Sequence, residues 1–397
     1  MSNIPILLLA QVLTGSGLTA VVLFGGILSA ELAPDPSWAT APVSLAVVGM
    51  ALSTVPASFL MRIAGRRQGL IAGAGIGIVA SLLCAYGIVQ SSFLLFCVGS
   101  MLFGTSTAFT MQYRFVAAES VARERASQAI SYVLLGGLGS ALIGPQAAMA
   151  ARAWLTEHEY AGSFMAVGLL YALGAMVLCK LRPTESTTAS TASDGPTLRE
   201  LIREPMLRRA ALSGAVAFGV MSFIMTAAPV SMHSNHHHGV EAITWTIQSH
   251  ILAMYLPSLF TGKLTARIGE RAMMIVGSLL LAASSVVSLI GNDVPHYWVG
   301  LVLLGAGWNF LFTAGTALLA THYSGAERHR AQGFNDLVVF TSQACVSFLA
   351  GVAVIKLGWQ WTNLSVLPLL ALMVWTAGRE APRPARQHQN FARTPNV

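Results

Sequence analysis

The chain has 397 residues, of which 54% are hydrophobic and only 10% charged, and its mean hydropathy is +0.64. That balance excludes an ordinary soluble domain of this length and describes a polytopic membrane protein. The formal charge of +7 decides nothing until its residues are located, because one basic face points to nucleic acid and basic loops point to membrane topology.

Apolar runs sufficient to cross about 30 Å of hydrocarbon, at about 20 residues each, are read at 5–32, 40–61, 69–90, 92–116, 127–150, 162–181, 209–232, 243–266, 272–291, 297–320, 332–355 and 358–378. So much apolar backbone can satisfy its own polar groups in lipid only as helix. The first run lacks a basic leader and exceeds a cleavable hydrophobic core, so it is read as segment one and not as a signal peptide. Gly69, Gly73 and Gly77 recur every fourth residue in segment three, which lets a neighbouring helix approach closely. No strand precedes them and no Walker lysine follows, so they are not a phosphate loop. Cys84, Cys97, Cys179 and Cys345 fall in apolar runs without metal or disulfide spacing and read as packing residues.

All of the 23 Lys and Arg except Arg114, Arg152 and Lys356 fall in cytoplasmic loops or tail when both termini are placed in the cytoplasm. This asymmetry is the positive-inside rule, and it removes any need for a nucleic-acid partner. Two loops repeat. Arg62-Ile63-Ala64-Gly65-Arg66 after segment two matches Arg267-Ile268-Gly269-Glu270-Arg271 after segment eight, and Arg123-Glu124-Arg125-Ala126 matches Arg328-His329-Arg330-Ala331, both at an offset of 205 residues. One shared register in two places indicates duplicated halves, as in transporters whose substrate site lies at mid-membrane between them. The expected fold is an all-α membrane protein with twelve transmembrane helices in two pseudo-symmetric six-helix bundles. Residues 1–181 form the N-terminal bundle, 182–208 a Ser/Thr-rich cytoplasmic linker, 209–378 the C-terminal bundle, and 379–397 a polar cytoplasmic tail. Within the linker, Leu198 to Arg209 alternates apolar and basic residues and is read either as an amphipathic surface helix or as a plain connector.

Two residue pairs inside the membrane carry possible chemistry. Met221 and Met225 share one face of segment seven, and His250 and Met254 one face of segment eight. At about 1.5 Å per residue, Met221 and Met225 lie about 18 and 24 Å above the basic end of their segment, and His250 and Met254 about 24 and 18 Å above the same end. Four level soft ligands would suit Cu(I), which thioethers bind without losing a proton. The competing reading makes the methionines core filler and lets His250 bond a backbone carbonyl; an imidazole at that depth needs a cavity or a partner in either case. His233, His236, His237 and His238 follow segment seven, as an entrance site for copper or as a solvated loop. Arg114 and Asp336 are intramembrane charges that need partners, and Arg330 is the expected partner of Asp336. Together with Arg62 and Arg267 of the repeated loops they are read as gate or helix-lock residues. No cofactor motif and no cluster of acids and nucleophiles supports catalysis, and the sequence is silent on oligomeric state.

The two halves, the basic loop signature and Gly144-Pro145 in segment five resemble the major facilitator superfamily over most of the chain. That family's loop reads Gly, three residues, an acid, Arg, one residue, Gly, one residue, Arg or Lys. The second copy here keeps Gly262, Arg267, Gly269 and Arg271 with Ala266 in place of the acid, and the first has Ala57 and Met61 at the Gly and acid positions. Segment five lacks the full glycine series associated with antiporters. Within the superfamily, Gln112-Tyr113-Arg114-Phe115-Val116-Ala117-Ala118-Glu119, the Met221/Met225 and His250/Met254 pairs and the histidine stretch resemble the CcoA-like copper importers, which supply copper for cytochrome oxidase assembly. A riboflavin-transporting sister branch looks much alike, and Gln11, Gln112, Gln248, Trp308, Asn309 and Asn335 are candidate cavity-lining groups that would suit a flat isoalloxazine ring. The resemblance implies a bacterial inner-membrane transporter working by alternating access. Copper is the leading cargo, through Met221, Met225, His250 and Met254, and riboflavin or another small organic solute is the alternative.

Overall fold

The computed structural model describes residues 3–35, 38, 41–158, 160–182, 197–232, 236–323 and 325–379. His233, most of the linker and the tail beyond Arg379 lie outside the described residues. Among the described residues, ten helical stretches are long and apolar enough to cross a membrane. They match every expected segment but eight, whose helix breaks at Pro257, and eleven, which lies within the helix Gly325–Leu364.

Segment one is divided at Gly15 into α1 (Asn3–Thr14) and α2 (Ser16–Leu32); α3 (Ala41–Ala64) and α4 (Arg66–Val89) follow. Segment four is α5 (Phe93–Thr110) and α6 (Tyr113–Glu119), joined through Met111 and Gln112, and α7 (Ala126–Ala150) and α8 (Ala161–Leu178) complete the first half. The expected amphipathic stretch 198–209 is corrected. A capping box between Thr197 and Glu200 opens α9, Leu198–Arg203. Pro205, whose missing N–H costs nothing at a helix start, then opens α10 (Pro205–Val230), so Arg208 and Arg209 ride on the membrane helix.

Segment eight breaks at Pro257 into α11 (Val240–Tyr255) and α12 (Ser258–Ile268), since proline cannot continue the helical bonding. Asn309 holds the break: its amide donates to the Met254 carbonyl and to Ser258 Oγ, both at 2.7 Å, and its Oδ1 accepts from Thr261 at 2.8 Å. α13 (Glu270–Ile290) and α14 (Val294–His322) follow. α15 (Gly325–Leu364) reverses at Gly358, φ +80°, into the last segment, which α16 (Leu367–Gly378) completes.

The duplication is visible in the backbone with one correction to its register. Gly65 and Gly269 both adopt left-handed φ, +85° and +87°, at the start of α4 and α13. Their separation is 204 residues, so the sequence match at 205 had paired Gly269 with Ala64. Only glycine adopts this φ without strain, and the backbone, not the arginine spacing, therefore sets the register.

Within each half, small residues admit close packing. A Cβ on Gly77 would lie 2.2 Å from the Tyr171 ring, as expected of the segment-three glycines. Cys84 and Cys97 are buried, whereas Cys179 and Cys345 are exposed, which corrects their reading as packing residues. Between halves, α3 packs on α15, α7 on α11, α12 and α14, and α6 on α14. The closest approaches lie from mid-depth to the end that carries the basic loops, called the basic end below: Gly137 against Tyr255, Gly262 against Ser127 and Gln128, and Gly333 against Ser58. α2 and α10 pack within their own halves.

Candidate functional site

At the seam between halves, Arg114 of α6 and Asp336 of α15 form an ion pair in which the side chains are 2% and 0% exposed. This corrects the expected pairing of Asp336 with Arg330: α6 and α15 meet across the seam, out of reach of sequence proximity. Gln112 Nε2 and Asn335 Nδ2 each donate to the Asp336 carboxylate at 2.9 Å. The Arg114 guanidinium lies over Phe115 and Phe312, at 4.6 and 4.4 Å from the ring centroids, a cation–π arrangement strengthened by exclusion of water. Arg114 Nε is buried without a partner.

An aromatic stack continues from this pair. Trp308 stacks on Phe312 at 5.3 Å, meets Phe218 of α10 at 5.2 Å and Tyr255 of α11 at 5.9 Å, and Phe218 also packs on Phe312 and Phe340. Tyr255 faces Gly137 of the other half, so the stack reaches the seam at two places. Trp308 Nε1 is a buried donor with no partner.

The same stack bears on the Met and His pairs. Among the described residues, α10 and α11 share little packing with each other; each packs on α14, whose Trp308 ring contacts both Phe218 and Tyr255. Met221 and Met254 are buried, and Met225 is partly buried against the core. His250 is fully buried, and its Nδ1 lies 2.8 Å from the Leu301 carbonyl, to which it donates. Its Nε2 has no partner. Among the described residues, the two helices that carry the pairs meet chiefly through α14.

Nearer the basic end a second network ties the halves. Arg66 donates to both oxygens of Glu119, to Gln112 Oε1 at 3.3 Å and to Gln332 Oε1 at 2.6 Å, while Arg328 reaches Glu119 at 3.6 Å. Arg62 is exposed, with its guanidinium over Phe59, and Arg267 is exposed; the cross-half bonds fall to Arg66. Sequence reasoning missed Arg66 because it sits in a loop outside the apolar runs, and Gln332 because a neutral amide at the edge of segment eleven carries no charge to flag it. The usable signal was a second arginine in the loop four residues beyond Arg62.

Beside this network, His329 opens α15. Burial first, then the Arg66 guanidinium, with Arg328 and Arg62 adding, holds its pKa down to about 4 against an opposing pull from Glu119. The folded state therefore keeps His329 neutral, and its contribution to stability is present above pH 6.5 and lost as pH falls toward 4. The melting temperature of the purified protein is expected to fall between pH 7 and 5, with a shallower fall in His329→Gln. Equal slopes in the two proteins would remove His329 from the gate's pH response.

At the opposite end, His236 Nδ1 lies 3.0 Å from Tyr297 Oη and 3.1 Å from the Ser231 carbonyl, and His238 Nε2 lies 2.8 Å from the Asn292 carbonyl. His237 is exposed. Among the described residues, no group of three or more His, Cys, Asp or Glu is arranged to hold a metal. Of the remaining candidate lining residues, Gln248 is exposed, Gln11 packs on Gly136, and Asn309 is committed to the α11–α12 break.

The sequence signature described as Major Facilitator Superfamily matches residues 7–230 and again 210–396. The chain belongs to the major facilitator superfamily. Among relatives in this superfamily, the riboflavin transporter RfnT of Brucella anthropi is 39% identical over 374 residues, covering 94% of both chains. The uncharacterised transporter YdeG of Bacillus subtilis is 30% identical over 396 residues, covering 94% of this chain and 91% of its own. The crystal structure of the human organic anion transporter MFSD10 shares the fold, with a TM-score of 0.76 at 14% identity over 94% of this chain and 98% of that one. The fold and the transporter family are thereby those expected from the duplicated halves.

Proposed function

We propose that this protein is a secondary transporter of a flat, aromatic organic solute of the riboflavin class, working by alternating access. The observation that carries the reading is the aromatic stack at the seam, in which Trp308, its Nε1 unpartnered, stacks on the Phe312 that underlies Arg114 of the Arg114–Asp336 pair. Stacked rings offer a face to an isoalloxazine, and a buried orphan donor gains a full hydrogen bond when a ring carbonyl arrives. The full-length similarity to a bacterial riboflavin transporter supports the same class. By the positive-inside rule the basic end faces the cytoplasm of a bacterial inner membrane. The halves are then latched on the cytoplasmic side, and loading occurs from outside.

Copper import receives less support, because the helices that carry the Met and His pairs meet chiefly through α14. The test is uptake of labelled riboflavin by a riboflavin-requiring strain that lacks its own importer. Trp308→Ala is expected to weaken binding about tenfold, or about 1.4 kcal/mol, read by quenching of riboflavin fluorescence on the purified protein. Copper uptake that requires Met221 and His250, in a protein that neither binds nor carries riboflavin, would replace this reading.

A further inference from the structure

Away from the seam, a cavity of about 670 Å³ opens on the flank of the C-terminal half. Ala215, Gly219 and Phe223 of α10, Val338 and Val346 of α15, and Leu369 of α16 are among its walls. Arg208 stands at its basic end. From Arg208 to Phe223 the helix rises about 22 Å at about 1.5 Å per residue, longer than the roughly 15 Å of hydrocarbon in one leaflet. A slot of this length, apolar along its wall and cationic at the interfacial end, has the dimensions and polarity of an acyl chain with its headgroup.

Among the described residues, no acidic side chain pairs with the charge at that end. Arg208 is exposed. Arg209 is 7% exposed; its Nη2 donates to the Arg379 carbonyl at 2.9 Å, and its Nη1 is buried without a partner. Arg271 donates to the Ala377 and Gly378 carbonyls at 3.0 and 2.8 Å, and the Arg379 guanidinium lies 3.5 Å from the Trp375 ring centroid. None of the ion pairs among the described residues includes any of these four arginines. The carbonyls at the end of α16 offer only about half a negative charge, against four guanidinium groups. At a membrane surface the anion in steady supply is the lipid phosphate, which attracts such clusters.

We propose that this slot holds one anionic diacyl phospholipid, with an acyl chain between α10, α15 and α16 and its phosphate on Arg208, in the positive field of Arg209, Arg271 and Arg379. α15 also packs on α3 across the seam, so the lipid props the helix that links the two halves. The occupant is selected by charge at one end and by length along the other.

The test uses the full-length protein, with native mass spectrometry after incubation with phosphatidylglycerol or phosphatidylcholine of identical chains. Two variants address the two ends. A Cβ at Gly219 meets open space, so Gly219→Leu fills the slot without striking backbone; Arg208→Gln removes the exposed charge. The expected result is one phosphatidylglycerol adduct per chain that survives activation stripping phosphatidylcholine, with retention reduced at least tenfold in either variant. Melting curves without added lipid establish that each variant is folded, and Ala215→Leu fills the same slot should Gly219→Leu fail to fold. Equal retention of both lipids by the wild type, or undiminished adducts when the slot is filled, would overturn the proposal.

Discussion

Asp336→Asn is expected to abolish transport and to lower the melting temperature of the purified protein markedly. The change leaves the Arg114 guanidinium, 2% exposed, without its counter-charge in a site already closed by Phe115 and Phe312. Removing one member of a buried pair costs about 3–5 kcal/mol, because the survivor stays desolvated and uncompensated. Removing both is far cheaper. Arg114→Met combined with Asp336→Leu is therefore expected to recover most of the lost thermal stability while uptake stays at background. That combination separates two roles of the pair: a double variant that folds and still transports would reduce Arg114–Asp336 to a structural lock. One that folds without transporting would assign the charges to the cycle itself, since the pair joins the two halves and must part when the basic end opens.

The part of this molecule legible in the sequence is the part that lipid dictates. Helices must satisfy their own backbone, so the twelve segments follow from apolar run length, and Arg positions follow the membrane faces. What depends on how helices turn about their axes was not legible. The rise per residue puts Met221 level with Met254 and Met225 level with His250 as an expectation, yet Trp308 of α14 packs on both Phe218 of α10 and Tyr255 of α11, and nothing in the spacing of either pair reports that. Asp336 was assigned a nearby arginine because sequence offers only neighbours; its partner lies 222 residues away. The repeat register slipped by one residue because arginines in loops tolerate a shift, while a left-handed glycine does not. Gln332 escaped notice for a related reason: a neutral amide carries no signature until Arg66 is seen to reach it.

The same packing supplies a way to bias the transport cycle. At Gly262, α12 crosses α7 of the other half so closely that a Cβ would lie 2.6 Å from Gln128 Cα and from the Ser127 carbonyl oxygen. Both contacts are backbone, so a side chain there can be accommodated only if the halves separate at the basic end. Overpacking of this kind costs about 1–3 kcal/mol, which shifts a two-state equilibrium by about 5- to 150-fold. The cost falls only on the state that is latched at this end. Gly262→Val is therefore expected to reduce uptake tenfold or more while the protein remains folded and populates the form open at the basic end. Ser58 reports on that form, because it is buried against Gly333 of α15 at the same seam. In a background with Cys84, Cys97, Cys179 and Cys345 replaced, a cysteine introduced by Ser58→Cys should label slowly with a water-soluble maleimide, and several-fold faster once Gly262→Val is added. Faster labelling with unchanged melting would locate the effect of Gly262 in the balance between states. Unchanged labelling alongside lost uptake would sink that account, because the crossing would then have yielded without opening the gate.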